Sequence, residues 1–251
     1  MRDIPAAELD SSLDHYREHG WAHLPAVGVE EMAALRARVD AIVAGDPLDL
    51  FFQPESPTGR YADLARTDGW TGPDTLYRKI ERLEQDPLFH AWITNPVFAR
   101  ISDAILGPGA RLYRAALFLK APRVGSETPF HQDAGKLWGL TREPCLQLWT
   151  ALDDAPPQAG CLEVASGSHR DGLVTPLGGV VPSTQTANAV ATPIPARSGD
   201  VVLLHNLTWH RSGPNRTDRP RRGLTLSLLT ADTRCRRTRK VPRVFPTLFS
   251  G

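Results

Sequence analysis

Apolar residues recur at helical spacing in two early segments. In PAAELDSSLDHYREHG, Leu9, Leu13 and Tyr16 share one face, and Gly20 stands where a left-handed C-terminal cap belongs. VEEMAALRARVDAIVAG repeats the pattern with Met32, Leu35, Val39, Ile42 and Val43, and stops at Gly45. Between the two, WAHLPAV predicts a short strand. Residues 46–76 carry scattered aromatic side chains without a steady period, which predicts an irregular, lid-like loop. DPLFHAWITNPVFARISDAILG then predicts two short helices divided at Asn95 and Pro96, the second closed by Gly107.

After Gly107 the pattern changes. RLYRAALFLKA, CLQLWTAL, GCLEVAS, DVVLLHNL and GLTLSLLTA are short apolar or alternating runs separated by Gly, Pro and Asp. Such runs predict an antiparallel sandwich or barrel. Helices first and strands afterwards predict an α+β, mainly β fold with the helices packed on one side of the β core. The expected layout is a single domain over 1–251. It has a mainly helical part at 1–107, a β core at 108–232 and a basic C-terminal segment at 233–251.

Composition narrows the function classes. At 251 residues, with 41% hydrophobic and 23% charged residues, the chain is an ordinary globular sequence with enough apolar material for a real core. A net charge of +1 gives no general attraction to nucleic acid or to an acidic membrane. No apolar run approaches the ~20 residues that span a bilayer, and the first 20 residues have no apolar signal-peptide core. Cys145, Cys161 and Cys235 are few, odd in number and without metal-type spacing, which predicts reduced core thiols in a cytoplasmic protein.

The candidate chemistry starts at PFHQD. On a strand, residues i and i+2 point to the same face, so His131 and Asp133 aim an imidazole and a carboxylate into one space while Gln132 points away. A third donor is offered by LLHNLTWHRSGPN, through His205 or His210. Two His and one carboxylate on one side of an ion leave three positions open, which suits non-haem Fe(II) and oxygen. Zinc accepts the same ligands. Arg221 follows His210 by eleven residues, across a Gly/Pro/Asn turn, and the returning strand GLTLSLL carries it towards the same cavity. A guanidinium there would fork onto the carboxylate of a dicarboxylic co-substrate.

The motifs KIERLEQDPLF, LFLKAP, PFHQD, LWTALDDA, GCLEVASGSH, GDVVLLHNLTWHRSGPN and RPRRG occur in this order over residues ~79–230. In that order and spacing the chain resembles the phytanoyl-CoA dioxygenase family of Fe(II)/2-oxoglutarate oxygenases. The resemblance implies a double-stranded β-helix, or jelly-roll, core. It implies His131, Asp133 and His210 as iron ligands and Arg221 as the anchor of 2-oxoglutarate, with Lys79 and Trp149 as further co-substrate contacts. Fe(II), 2-oxoglutarate and O2 are the implied cofactor and co-substrates. Related halogenases have a small residue where this chain has Asp133, so hydroxylation is expected rather than halogenation. Desaturation, epoxidation and ring closure stay open. The family's frequent Pro before GSH is replaced by Ala165 and Ser166, a change of turn away from the chemistry.

Each assignment has a plainer alternative. His205 follows an apolar run and reads as an interior or rim histidine, and His169 as a turn residue. Arg222 lies one strand step from Arg221 and is expected to point outward. Trp149 is either site-lining or core. Trp138, Phe130 and Trp70 are candidate substrate contacts, with simple packing as the alternative. The run RCRRTRK, with Arg216, Arg219 and Arg222, reads either as a solvated basic segment or as a recognition patch for an anionic substrate such as a thioester or phosphorylated compound. The resulting expectation is an oxygenase that hydroxylates a small molecule, of natural-product or acyl-thioester type, and releases succinate and CO2. The rivals are a non-catalytic jelly-roll binder and a zinc-dependent hydrolase or lyase. Neither has a use for the full set of three ligands plus Arg221. No nucleic-acid or membrane partner is expected, and oligomeric state is not legible.

Overall fold

The computed structural model describes residues 2–45, 49–65, 69–142, 146–238 and 243–249. Its helices are α1 (Ala6–His19), α2 (Met32–Val43), α3 (Pro87–Ile93), α4 (Pro96–Leu106) and the short α5 (Ser183–Thr186). The early helices form and end where their sequences dictate. Leu9, Leu13 and Tyr16 are the buried face of α1, which closes on Gly20 at φ +79° with the Gly20 N–H donating to the Tyr16 carbonyl at 2.8 Å. A Cβ at Gly20 would collide with Thr208 Oγ1. Asp86 caps α3 by accepting from the Leu88 and Phe89 N–H groups, and Asn95 caps α4 by accepting from Val97.

The strands are β1 (Trp21–Leu24), β2 (Phe51–Pro54), β3 (Tyr77–Glu81), β4 (Arg111–Lys120), β5 (Thr128–Gln132), β6 (Leu146–Ala151), β7 (Leu162–Val164), β8 (Gly179–Val180), β9 (Thr192–Ile194), β10 (Val201–Leu204), β11 (His210–Ser212) and β12 (Arg221–Leu229). They form two antiparallel sheets, ordered β1-β10-β6-β12-β4-β3-β2 and β8-β5-β11-β7-β9. This is the expected jelly roll. The two faces of the large sheet do different work. Leu117, Leu148, Leu203 and Leu224 join the helices in the main core, whereas Trp149, Ala151, Val202 and Leu204 pack towards the small sheet.

The first 107 residues are not simply helical. They supply β1 to one edge of the large sheet and β3 and β2 to the other. The segment 46–76, expected to be irregular, holds β2 and a 3-10 turn at Tyr61–Asp63, with 46–48 and 66–68 outside the described residues. Four residues of β2, FFQP, are too few to show a period. In β3, YRKIE, charge hides the strand, although Tyr77 and Ile80 are buried in the helix-side core. Pairing shifts register between Gln53 and Pro54, where Gln53 faces Lys79 and Pro54 faces Tyr77. Arg78 is therefore the extra residue of a bulge, and both it and Lys79 line the inner side of the sheet.

Candidate active site

β5 and β11 pair with His131 directly opposite His210. Their ring centroids are 4.0 Å apart. His131 Nε2 lies 3.9 Å from Asp133 Oδ1 and His210 Nε2 lies 3.7 Å from Asp133 Oδ2. One donor atom from each of the three falls within 4.8 Å of the others. The Nδ1 atoms are tied back, His131 to the Pro129 carbonyl and His210 to the Thr208 carbonyl, each at 2.9 Å. A protonated Nδ1 on each ring leaves the Nε2 lone pair facing the gap, the tautomer that a metal needs. Burial, followed by the neighbouring His210, pushes His131 down to about 4, so it is neutral at pH 7. The Asp133 N–H donates to the Asn206 carbonyl at 3.0 Å, and Gln132, on the opposite face, donates to the carbonyls of Gly172 and Leu207. The ligand strand is thus fixed from behind.

The triad opens into a cavity that Arg221 and Trp149 also line. Arg221 is 2% exposed and sits opposite Lys120 in the β12–β4 pairing. Its Nη2 donates to the Gly160 carbonyl at 2.7 Å, its Nε has no partner, and its guanidinium carbon lies 5.6 Å from the Trp149 ring centroid. Gly223 provides the space in which the Trp149 indole lies. Two more buried basic side chains line the same cavity. Arg78 donates to Thr128 Oγ1 at 2.8 Å, and Lys120 Nζ donates to the Ser126 carbonyl. Burial lowers all three, Lys120 to about 6 and Arg221 to about 10. None has a carboxylate in ion-pair contact among the described residues. Buried charge without a partner is costly, so this end of the cavity is arranged to take an anion. Donor set and orphaned cation together suit a metal ion chelated by a carboxylate-bearing ligand.

Residues 16–223 match the family model described as phytanoyl-CoA dioxygenase (PhyH). The chain belongs to the phytanoyl-CoA dioxygenase family. The chain is 27% identical to cattle phytanoyl-CoA dioxygenase domain-containing protein 1, covering 88% of this chain and 90% of that protein. Identity to phytanoyl-CoA dioxygenase 1 of Oryza sativa subsp. japonica is also 27%, over 91% and 92% of the two chains. The match to the zebrafish counterpart of the cattle protein spans 54% of its length. Among solved structures, the non-haem α-ketoglutarate-dependent epimerase SnoN of nogalamycin biosynthesis superposes with a TM-score of 0.75 at 21% identity, covering 98% of this chain and all of that one (100%). EvdO2 of Micromonospora carbonacea var. aurantiaca, solved with 2-oxoglutarate, gives 0.65 at 27% identity, with 96% of each chain covered. Iron- and 2-oxoglutarate-dependent oxygenation is the enzyme class of the family.

Within this phytanoyl-CoA dioxygenase fold the other singled-out residues separate clearly. Trp149 lines the cavity. Lys79 does not reach Arg221; it pairs with Glu81 at 2.9 Å in an adjoining depression that meets the cavity at His131 and Asp133. Phe130 is on the far face of β5, packed on Ala165 and Val181 beneath the Arg211 guanidinium. Trp138 stacks on Tyr113 at 4.4 Å in a separate cluster with Leu140 and Phe245. Trp70 is 44% exposed and donates to the Val43 carbonyl at the end of α2. Phe130 and Trp138 pack away from the cavity, one by alternation on β5 and the other in a local apolar cluster, and Trp70 stands partly exposed outside it. His205 is half-buried, accepts from the Leu207 N–H and faces His169. Arg222 is not an outward charge. It forks onto Asp153 at 2.7 and 2.9 Å and reaches Asp40 of α2. Cys161 is buried and Cys235 half-buried, and Cys145 lies outside the described residues. The sequence reading passed over Arg78 and Lys120. Arg78 needs the bulge to reach the cavity, and a Lys at the end of an apolar strand reads as a solvent-facing terminus.

Proposed function

We propose that this protein is an Fe(II)- and 2-oxoglutarate-dependent hydroxylase of a small molecule, with His131, Asp133 and His210 holding iron and Arg221 holding the far carboxylate of 2-oxoglutarate. The observation that carries the reading is the buried Arg221 guanidinium, without an anionic partner, in the same cavity as the triad. Bound iron would supply the activation of O2, so that R–H, O2 and 2-oxoglutarate become R–OH, succinate and CO2. The chain's own residues bind and orient. The carbonyls of Pro129 and Thr208 hold both imidazoles in the ligating tautomer. Trp149 backs the guanidinium and limits where a dicarboxylate can lie. Asp133 occupies the third ligand position, which favours hydroxylation over halide transfer.

Similarity to SnoN, of nogalamycin biosynthesis, supports a natural-product scaffold as substrate, and the names of the curated relatives support an acyl thioester as the second choice. Among the described residues no helix is long and apolar enough to cross a membrane. The test is an anaerobic titration of 2-oxoglutarate into the Fe(II)-loaded protein, followed by visible absorption. A weak band that saturates supports co-substrate chelation beside Arg221. Bound iron with no spectral response at any 2-oxoglutarate concentration removes the oxygenase reading and leaves the zinc-type hydrolase or binder.

A further inference from the structure

The cavity holds more basic side chains than one arginine, and Lys120 is the one with no assigned work. It is 5% exposed and directly opposite Arg221 across the β4–β12 pair. Its backbone is pinned, since Asn215 Nδ2 donates to the Lys120 carbonyl at 3.0 Å. Its stem lies in a slot made by glycines. A Cβ on Gly125 would stand 2.7 Å from Lys120 Cα, and one on Gly160 would stand 3.2 Å from Lys120 Cδ. The side chain is therefore held in the cavity, where Nζ has one acceptor, the Ser126 carbonyl. Once protonated, Nζ carries three N–H donors, and two of them have no acceptor among the described residues, so the charged form calls for an anion.

The charged groups that act on Nζ come from every neighbouring element. Arg221 on β12 and Arg78 on β3 oppose its charge; Glu55, after β2, and Glu127, before β5, favour it without reaching ion-pair contact. We propose that Lys120 is a second anchor for the far carboxylate of the co-substrate, and that it takes a proton from solvent as that carboxylate binds between it and Arg221. The proposal rests on the reading of this cavity as the 2-oxoglutarate site. Before binding, burial and the two guanidinium groups hold Lys120 at about 6, so the neutral amine prevails at pH 7. Arg221, lowered only to about 10, stays charged and takes no part in the linkage. The carboxyl groups of the ligand ionise near pH ~4 and are also silent.

The sign of the effect follows. Binding takes up a proton above pH 6, so co-substrate affinity is greatest in mild acid and falls by up to about tenfold per pH unit as pH rises. Calorimetric titration of 2-oxoglutarate into anaerobic Fe(II)-loaded protein from pH 6 to 8.5, in buffers of different ionisation heat, counts that proton. Near one proton taken up at pH 7.5 is expected for the wild type. Lys120→Met should bind at least tenfold more weakly at pH 6.5, with no proton uptake and a flat pH profile. Lys120→Arg should keep binding with a flat profile. Wild-type binding with no proton uptake, or uptake that survives in Lys120→Met, overturns the proposal and leaves Arg221 as sole anchor. If Lys120→Met does not fold, the wild-type proton count and the Lys120→Arg profile decide alone. Absence of 2-oxoglutarate binding to the iron-loaded wild type at every pH overturns the co-substrate reading itself, and this proposal with it.

Discussion

Removing the imidazole of His131 or the carboxylate of Asp133 leaves two donors where three converge within 4.8 Å. His131→Ala and Asp133→Ala should therefore each abolish iron-dependent succinate release, measured with excess Fe(II). Turnover within a few fold of wild type in either would dismiss the triad. The two adjacent arginines make a sharper comparison. Arg221→Ala should weaken 2-oxoglutarate binding by about 1.5–3 kcal/mol, the worth of charge-assisted hydrogen bonds, while iron affinity stays near wild type. Arg222→Ala should leave 2-oxoglutarate affinity alone and lower stability by about 3 kcal/mol, because Asp153 loses a forked partner in a half-buried setting. Denaturant titration and co-substrate binding on both variants separate the roles. At this scale the sequence was informative where geometry is local. His131 and Asp133 share a face by strand alternation alone, and alternation also puts Arg221 and Arg222 on opposite faces, although Arg222 is buried against Asp153 and Asp40 rather than outward as expected. Arg78 and Lys120 were not legible, because a bulge and a glycine-lined slot place them, and neither leaves a pattern in one strand's own residues.

Among the elements, α1 and the turn after β10 meet through histidines. His205 lies 5.1 Å from the His169 ring and 6.1 Å from Tyr16 of α1, ring to ring. Burial, with His169 adding to it, pushes His205 down to about 4. A histidine lowered in the folded state contributes stability that is complete above its unfolded value near 6.5. That stability is lost as pH falls towards 4. The unfolded chain binds the extra proton in that window, so unfolding free energy should drop there by up to about 1.4 kcal/mol per pH unit from this one group. His205→Asn keeps an acceptor near the Leu207 N–H without a titrating ring. Urea unfolding at pH 7, 6, 5 and 4.5 should show a shallower acid slope for the variant than for wild type, and equal slopes would assign the acid loss elsewhere. Helices α1 to α4 were legible from period and caps, since Gly20, Asn95 and Gly107 do at their ends what their chemistry requires, whereas α5 was not. β2 and β3 were not. One is too short for a period, and the other earns its place by pairing with β4 rather than by its own composition.

For the molecule as a whole, two sheets bring together residues more than 140 positions apart, Arg78 and Arg221 among them, around one cavity. The order of helices and strands announced the fold class, yet the charge concentrated inside it came only from assembly. That concentration has a consequence for stability. Arg221 is almost fully buried with a single carbonyl acceptor and an unpartnered Nε, and it stands beside Lys120 and Arg78. Ligand-free protein therefore carries an uncompensated charge that function needs and folding does not. Arg221→Met, similar in length and apolar, should be at least as stable as wild type without ligands, by roughly 1 kcal/mol or more. With iron bound and 2-oxoglutarate at a hundred times its dissociation constant, wild type should gain about 2.7 kcal/mol from mass action. Arg221→Met should gain from iron alone and show no further shift with 2-oxoglutarate. Anaerobic thermal unfolding of both proteins in the three states tests the balance. A less stable ligand-free Arg221→Met would mean that the guanidinium is already compensated within the fold, and its role would be structural.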